Sequence, residues 1–156
     1  MATGERALTR LIFGHDDELA AWAEAHYPAC APLKRPLTAI GIASSYGEAL
    51  GVAIFHNFRQ HDIDVTFVAA TPRWATPGNV RAILHYPFVQ LGVKRMTATT
   101  SKNNHRARKL LIGLGFRLEG THPFAHDGIH AVCSYGLYRN VAETKWLARC
   151  NKKMAA

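Results

Sequence analysis

The feature that most constrains this chain is the order strand, loop, helix, strand, helix spelled by residues 64–120. It restricts the chain to α/β architectures. Residues 64–70 (DVTFVAA) are β-branched and apolar behind one acid, the composition of a strand. Residues 71–77 (TPRWATP) form a loop punctuated by two prolines, and Gly78, Asn79 and Val80 open a helix. A strand that feeds a helix N-terminus through a loop suits phosphate, because free N–H groups and the helix dipole both favour an anion there. Residues 93–100 make the next strand, and residues 104–114 a helix that Gly115 ends.

The rest of the chain frames this unit. Residues 8–13 read as a first strand, stopped at Gly14; Asp16 is the expected N-cap of a helix to about His26, with Leu19, Trp22 and Ala23 on one face. Pro28, Pro32 and Pro36 break the next stretch into a loop. Residues 37–45 and 49–58 are strands joined by the turn Ser45, Tyr46, Gly47 and Glu48, and residues 62–70 complete a meander. The helix from Gly78 to about Leu91 looks poorly capped, and Pro87 should end its regular part. In the next helix Ala107, Leu110, Leu111 and Leu114 point inward and His105, Arg106, Arg108 and Lys109 outward. His126, Asp127 and Gly128 turn between two late strands, and a short helix is expected near Trp146.

At 156 residues, 48% hydrophobic and 19% charged, the chain is expected to be one globular domain, 1–156, with a basic tail at 140–156. No apolar run approaches the roughly 20 residues of a membrane helix, and Met1 to Arg6 lack the build of a signal peptide. Cys30, Cys133 and Cys150 are odd in number and far apart, which favours a reducing cytoplasm over a disulfide framework. The net charge of +8 draws polyanions, whether nucleic acid, acidic protein or a phosphate-bearing cofactor. His122, His126 and His130 are spaced by four, but Pro123 and Gly128 forbid one helix, so no metal site is expected.

Pro72 and Trp74 ahead of Gly78, then Tyr86, Pro87, Phe88, Leu91, Gly92, Asn104, Gly115, Phe116, Glu119, Gly120, Tyr138 and Trp146, resemble the GNAT N-acetyltransferase family in order and spacing, nearest the branch that acetylates ribosomal-protein N-termini. The resemblance covers roughly residues 37–146. It implies an α/β (α+β) domain with a mixed, mostly antiparallel sheet of about seven strands, helices on both faces and a splay between strands 64–70 and 93–100. It also implies acetyl-coenzyme A as co-substrate, with pantetheine along Val68 and Ala69. The pyrophosphate would rest on amides of Thr76, Gly78, Asn79 and Val80; Asn104 would reach the pantetheine, and Arg106 or Lys109 the phosphates.

The loop departs from the family pattern. Ala75 replaces Gln or Arg, Val80 replaces the second small residue, and the helix looks one turn short. Either the loop binds the cofactor through altered contacts or it has lost ordinary affinity. Acetyl transfer needs a neutral amine, a polarised carbonyl and a proton for the thiolate. Asp64 stands where related enzymes place a base, with Asp62 and His61 as alternatives; a strand N–H near Val68 could polarise the carbonyl. The family's acid positions hold Leu111 and Ala107, which leaves Tyr135, Tyr138 or water. The resemblance favours a protein N-terminus or lysine as acceptor and a monomer or homodimer. Two other readings keep the fold: a nucleic-acid-directed acyltransferase whose face is Lys94, Arg95, Lys102, Arg106, Arg108, Lys109, Lys152 and Lys153, or a non-catalytic binding module.

Overall fold

A computed structural model describes residues 8–148; residues 149–156, the end of the basic tail with Cys150, Lys152 and Lys153, lie outside it, as do the first seven residues. Seven strands build one sheet: β1 (Thr9–Ile12), β2 (Leu37–Ser44), β3 (Ala49–His56), β4 (Asp62–Ala69), β5 (Arg95–Ser101), β6 (Arg117–His122) and β7 (Val132–Tyr138). Their spatial order is β1-β2-β3-β4-β5-β7-β6, antiparallel throughout except β4 with β5. The expected mixed, mostly antiparallel sheet is present. No helix among the described residues is long and apolar enough to cross a membrane.

Helices cover both faces. On one side α1 (Asp16–His26) packs Ala23, with Leu19 and Trp22, over Ala39, Val52, Ile54 and Val68. On the other, α2 (Pro77–His85), α3 (His105–Leu114) and the carboxy-terminal helix α4 (Arg139–Ala142) enclose the larger core around Phe55, Phe88, Met96 and Tyr135. Both faces of β3 are therefore buried, as its run of apolar residues requires. Gly51 is needed in it, because a Cβ there would come within 3.0 Å of Trp74 Cγ.

Three local expectations are corrected. Asp16 does not cap α1; it is the first helical residue, and its carboxylate accepts the Ala39 N–H at 2.8 Å, tying the helix to β2. The helix α2 is well capped, with Pro77 at its first position and the Thr76 hydroxyl accepting the Asn79 N–H at 3.2 Å. Arg108 turns inward, donating to the Tyr135 hydroxyl at 2.9 Å and to the Lys102 carbonyl at 3.0 Å.

Pro87 acts as expected. The α2 ladder stops at His85 and continues as one π turn, Tyr86–Gln90. Gly115 ends α3 in the left-handed region at φ 108°. The chain near Trp146 then closes that helix end, as Lys145 Nζ reaches the Gly113 carbonyl at 2.7 Å and Trp146 Nε1 the Leu114 carbonyl at 2.8 Å.

Candidate active site

The two parallel strands part company early. β4 and β5 pair only at Asp62 with Arg95, Ile63 with Met96 and Asp64 with Thr97. From Val65 onward β4 keeps its β3 partner on one edge and, among the described residues, has no strand partner on the other. Antiparallel bonding alternates, so one bond fixes which residues face which edge. Ala70 donates to the Leu50 carbonyl at 2.9 Å, which assigns Val68 and Thr66 to β3 and leaves Phe67 and Ala69 facing the gap. Across it, Lys102 donates to Ala131 at 2.9 Å, which by the same parity turns Thr99 and Ser101 toward the gap.

A cleft runs through this opening. Its narrower part, about 270 Å³, lies between Val65, Thr66 and Phe67 on β4 and Ala98 and Thr99 on β5, and is also bordered by Tyr27, Cys30 and His126. The wider part, about 650 Å³, lies between Val68, Ala69, Thr71, Pro72 and Trp74 on one wall and Asn104, Arg106 and Lys109 on the other. Tyr27, Phe67, Asn104, Ala107 and Leu110 border both parts, so they form one passage.

Five of the residues singled out in the sequence meet here: Val68, Ala69, Asn104, Arg106 and Lys109. Val68 borders the cleft, but its N–H is directed to β3; Phe67 and Ala69 supply the open backbone instead. Asn104 Oδ1 caps α3 by accepting the Ala107 N–H at 3.1 Å.

Thr76, Gly78, Asn79 and Val80 are not on the lining. Pro77 has no N–H, Asn79 gives its own to Thr76 Oγ1, and Val80 gives its own to the Thr76 carbonyl at 2.9 Å. The Asn79 side chain is buried and points away, donating to the Trp74 carbonyl at 2.8 Å and to Thr9 Oγ1 at 2.9 Å. At the helix start the Asn79 and Val80 N–H groups are thus engaged within the chain, while those of Thr76 and Gly78 have no partner among the described residues.

Asp64 lies just before the gap and off the cleft lining. Its Oδ1 accepts from Arg59 at 2.7 Å and its Oδ2 from Asn57 at 3.0 Å. Burial pushes its pKa up, but these bonds outweigh burial and hold it below the ordinary carboxylate value. Asp62 accepts from Thr97 Oγ1 at 3.0 Å, and the His61 carbonyl accepts the Lys94 N–H at 2.8 Å. The Tyr135 hydroxyl is taken by Arg108, and Tyr138 donates to Glu119 at 2.7 Å. Glu119 also pairs with Arg95, over Gly136, where a Cβ would come within 2.5 Å of the carboxylate. The proposed nucleic-acid face thus has Arg95 and Arg108 engaged within the chain.

Leu111 and Ala107 leave an apolar wall at the positions expected to supply a proton donor. Besides Thr66, Thr99, Thr100, Ser101 and Asn104 from the flanking strands and the start of α3, the narrow part is bordered by Tyr27, Cys30 and His126 from distant segments. No local motif in the sequence marks any of the three as a site residue. Burial raises the Cys30 thiol pKa, and the Glu24 carboxylate adds to it. Behind Thr66, His56 Nε2 lies 3.2 Å from its hydroxyl, Nδ1 is buried without a partner, and burial lowers the ring's pKa.

No protein-family profile and no curated protein sequence matches the chain. Solved structures do. The chain superposes on a protein from Acinetobacter baylyi ADP1 described as an acetyltransferase, with TM-score 0.68 and 17% identity over 86% of this chain and 95% of that one. It superposes on mutant forms of a spermidine/spermine N-acetyltransferase from Vibrio cholerae, with TM-score 0.64 and 14% identity over 91% and 99%. A GNAT-family acetyltransferase from Bacillus anthracis matches at TM-score 0.55 and 18% identity over 65% of this chain, which spans 66% of that one. A splayed β4–β5 pair flanked by α1 on one face and α2 and α3 on the other is, in this chain, the fold of the GNAT acetyltransferases.

Proposed function

We propose that the chain transfers an acetyl group from acetyl-coenzyme A to a primary amine by direct attack in a ternary complex. One observation carries this reading: the open backbone edge of Phe67 and Ala69 faces a cleft that passes between the strands and ends at Arg106 and Lys109. An extended amide-bearing arm can bond to such an edge as a missing strand would. Acetyl-coenzyme A supplies the activated thioester. The chain's own residues hold the arm, set Leu111 and Ala107 as an apolar strip against it, and admit the amine from the Tyr27 and His126 side. Holding both reactants together accounts for most of the acceleration. Tyr27, which borders both parts of the cleft, protonates the departing sulfur in this reading. Asp64 fixes the end of the paired strands through Arg59 and Asn57.

The acceptor is a protein N-terminus or lysine. Among the described residues no Asp or Glu lines either part of the cleft, so a polyamine such as spermidine finds no counter-charge there. The test is coenzyme A release from acetyl-coenzyme A, with unblocked peptides, amino-blocked lysine peptides and spermidine as acceptors. Peptides should be acetylated, and Tyr27→Phe should slow turnover by about 10²-fold. Release no faster than hydrolysis with every amine would refute the reading. A donor-free binding module is the second reading, favoured by the engaged Asn79 and Val80 N–H groups at the start of α2; donor binding in solution would exclude it.

A further inference from the structure

We infer that the Thr66 hydroxyl, held in place by the His56 ring, donates a hydrogen bond to the acyl oxygen of the thioester as the amine attacks. Thr66 is then a catalytic residue and His56 a positioning residue. The inference rests on the acetyl-transfer reading of the cleft and supplies what that reading lacks, a donor for the negative charge that develops on oxygen.

His56 and Thr66 are diagonal neighbours on one face of the sheet. In the β3–β4 register Thr66 stands opposite Ile54, and His56 opposite Asp64. The ring Nε2 lies 3.2 Å from Thr66 Oγ1, and Nδ1 is buried with no partner among the described residues. The Asp64 carboxylate is not that partner; Arg59 and Asn57 hold it. Burial, with the charges of Lys34 and Arg59, favours the neutral ring against the pull of Asp64.

A neutral imidazole carries one N–H, and its hydrogen bonds decide where. On Nδ1 the proton would be a buried donor with nothing to receive it, the rarer of the two defects. On Nε2 it goes to Thr66 Oγ1 and leaves only a lone pair unmatched, in the tautomer that water also favours for a free histidine side chain. With its oxygen accepting from the ring, Thr66 must direct its own proton elsewhere. No acceptor for that proton lies among the described residues, and Thr66 borders the narrow part of the cleft.

Thr66 precedes Phe67 and Ala69, whose backbone holds the arm, so the acyl end of the arm comes beside it in the narrow part. The Val68 N–H, expected to polarise the carbonyl, is spent on β3. The step balances with no proton moved at Thr66. The amine lone pair forms the C–N bond, and the carbonyl π pair moves to oxygen, where the Thr66 O–H meets it. Return of that pair breaks the C–S bond, and the bonding pair leaves on sulfur. Tyr27 protonates the sulfur, and the proton lost by nitrogen returns to Tyr27 through water. A fixed donor binds the charged oxygen more strongly than the ground-state carbonyl, so it speeds the chemistry rather than tightening binding.

The test begins with nitrogen NMR of the isotope-labelled full chain, which needs no turnover; the His56 signals are those that His56→Gln removes. Nε2 should be protonated and Nδ1 bare. A proton on Nδ1 overturns the inference, because Thr66 would then donate to the ring. Thr66→Val should lower kcat by about 10²-fold. Its calorimetric affinity for coenzyme A, which has no acyl oxygen, should stay within about twofold, and Thr66→Ser should keep kcat within about threefold. His56→Leu should lower kcat about tenfold, whereas His56→Gln, whose amide N–H stands in for Nε2, should stay within about threefold. An unaltered kcat in Thr66→Val, or a coenzyme A affinity that falls as far as kcat, overturns the inference and leaves the acetyltransferase reading standing. So does loss of an inflection from the pH–rate profile of His56→Gln, which would make the pair a proton relay. A parent chain that acetylates no amine overturns both.

Discussion

Replacing Asn79 by Ala separates a structural role from a ligand-binding one. The Asn79 Nδ2 donates to the Trp74 carbonyl at 2.8 Å and to Thr9 Oγ1 at 2.9 Å, and the residue is 7% exposed. It thereby ties α2 to β1 and to the turn carrying Trp74, which walls the cleft. Each bond is worth about 1 kcal/mol net, and the stranded Trp74 carbonyl adds about 1–3 kcal/mol, so the loss should total about 3–5 kcal/mol. Alanine's better helix propensity returns at most about 0.7 kcal/mol. For a domain of this length each kcal/mol moves the midpoint by about 2–4 °C, which predicts a fall of about 5–20 °C. Urea unfolding should show a lower midpoint at unchanged slope. At a temperature where the variant is folded, its affinity for coenzyme A should stay within twofold of the parent's. A variant with parental stability and a tenfold weaker donor would refute the assignment and return Asn79 to the phosphate site.

Three further outcomes rest on the same geometry. Gly51→Ala should destabilise by about 1–3 kcal/mol in urea, because its Cβ meets the stiff, buried Trp74 at 3.0 Å; Gly41→Ala should cost less, because its close contacts are with the flexible end of Leu19 and Ile12 Cβ lies at an ordinary 3.4 Å. Stability should fall as pH drops below 6.5, the ordinary value for His56: the unfolded chain then binds a proton that the buried ring in the folded chain refuses. Asp64 and Glu119 act in the same direction but only near and below their ordinary values of 3.8 and 4.5, so unfolding between pH 5 and 6.5 isolates the imidazole. His56→Gln should flatten that limb, and an unaltered limb would exclude His56 as its source. Asp64→Asn should leave the shape of the pH–rate profile unchanged, since both carboxylate oxygens are already engaged; loss of an inflection would restore Asp64 as the base.

How much of this was legible in the sequence depends on the range of each interaction. Strands and helices were, because β-branched runs, Gly115 and the three prolines after α1 act through their own backbone. The capping of α2 was also written locally, as Thr76 followed by Pro77, a hydroxyl before a residue without an N–H. It was missed because free helix amides were counted for a ligand before the chain's own side chains were allowed to take them. The pairing of Asp64 was not legible. It depends on Asn57 and Arg59 from a loop whose Asn57 and Gln60 take positive φ, and on a register that no local pattern encodes.

The open edge of β4 shows the same limit in another form. Alternation along residues 64–70 reveals that two faces exist, not which backbone groups turn toward which neighbour. That parity is set by one long-range bond, Ala70 to Leu50, and a shift of one residue would exchange Phe67 and Ala69 for Val68 as the open groups. The bulge between Ile42 and Ala43 absorbs its irregularity one strand pair away, so the β3–β4 register stays unbroken from Gly51 to His56. The cleft thus inherits its donors from pairing on the far side of β4. Substitutions in β3 that shift this register by one residue should exchange the groups at the open edge, and weaken donor binding in titration, without touching any residue on the cleft lining.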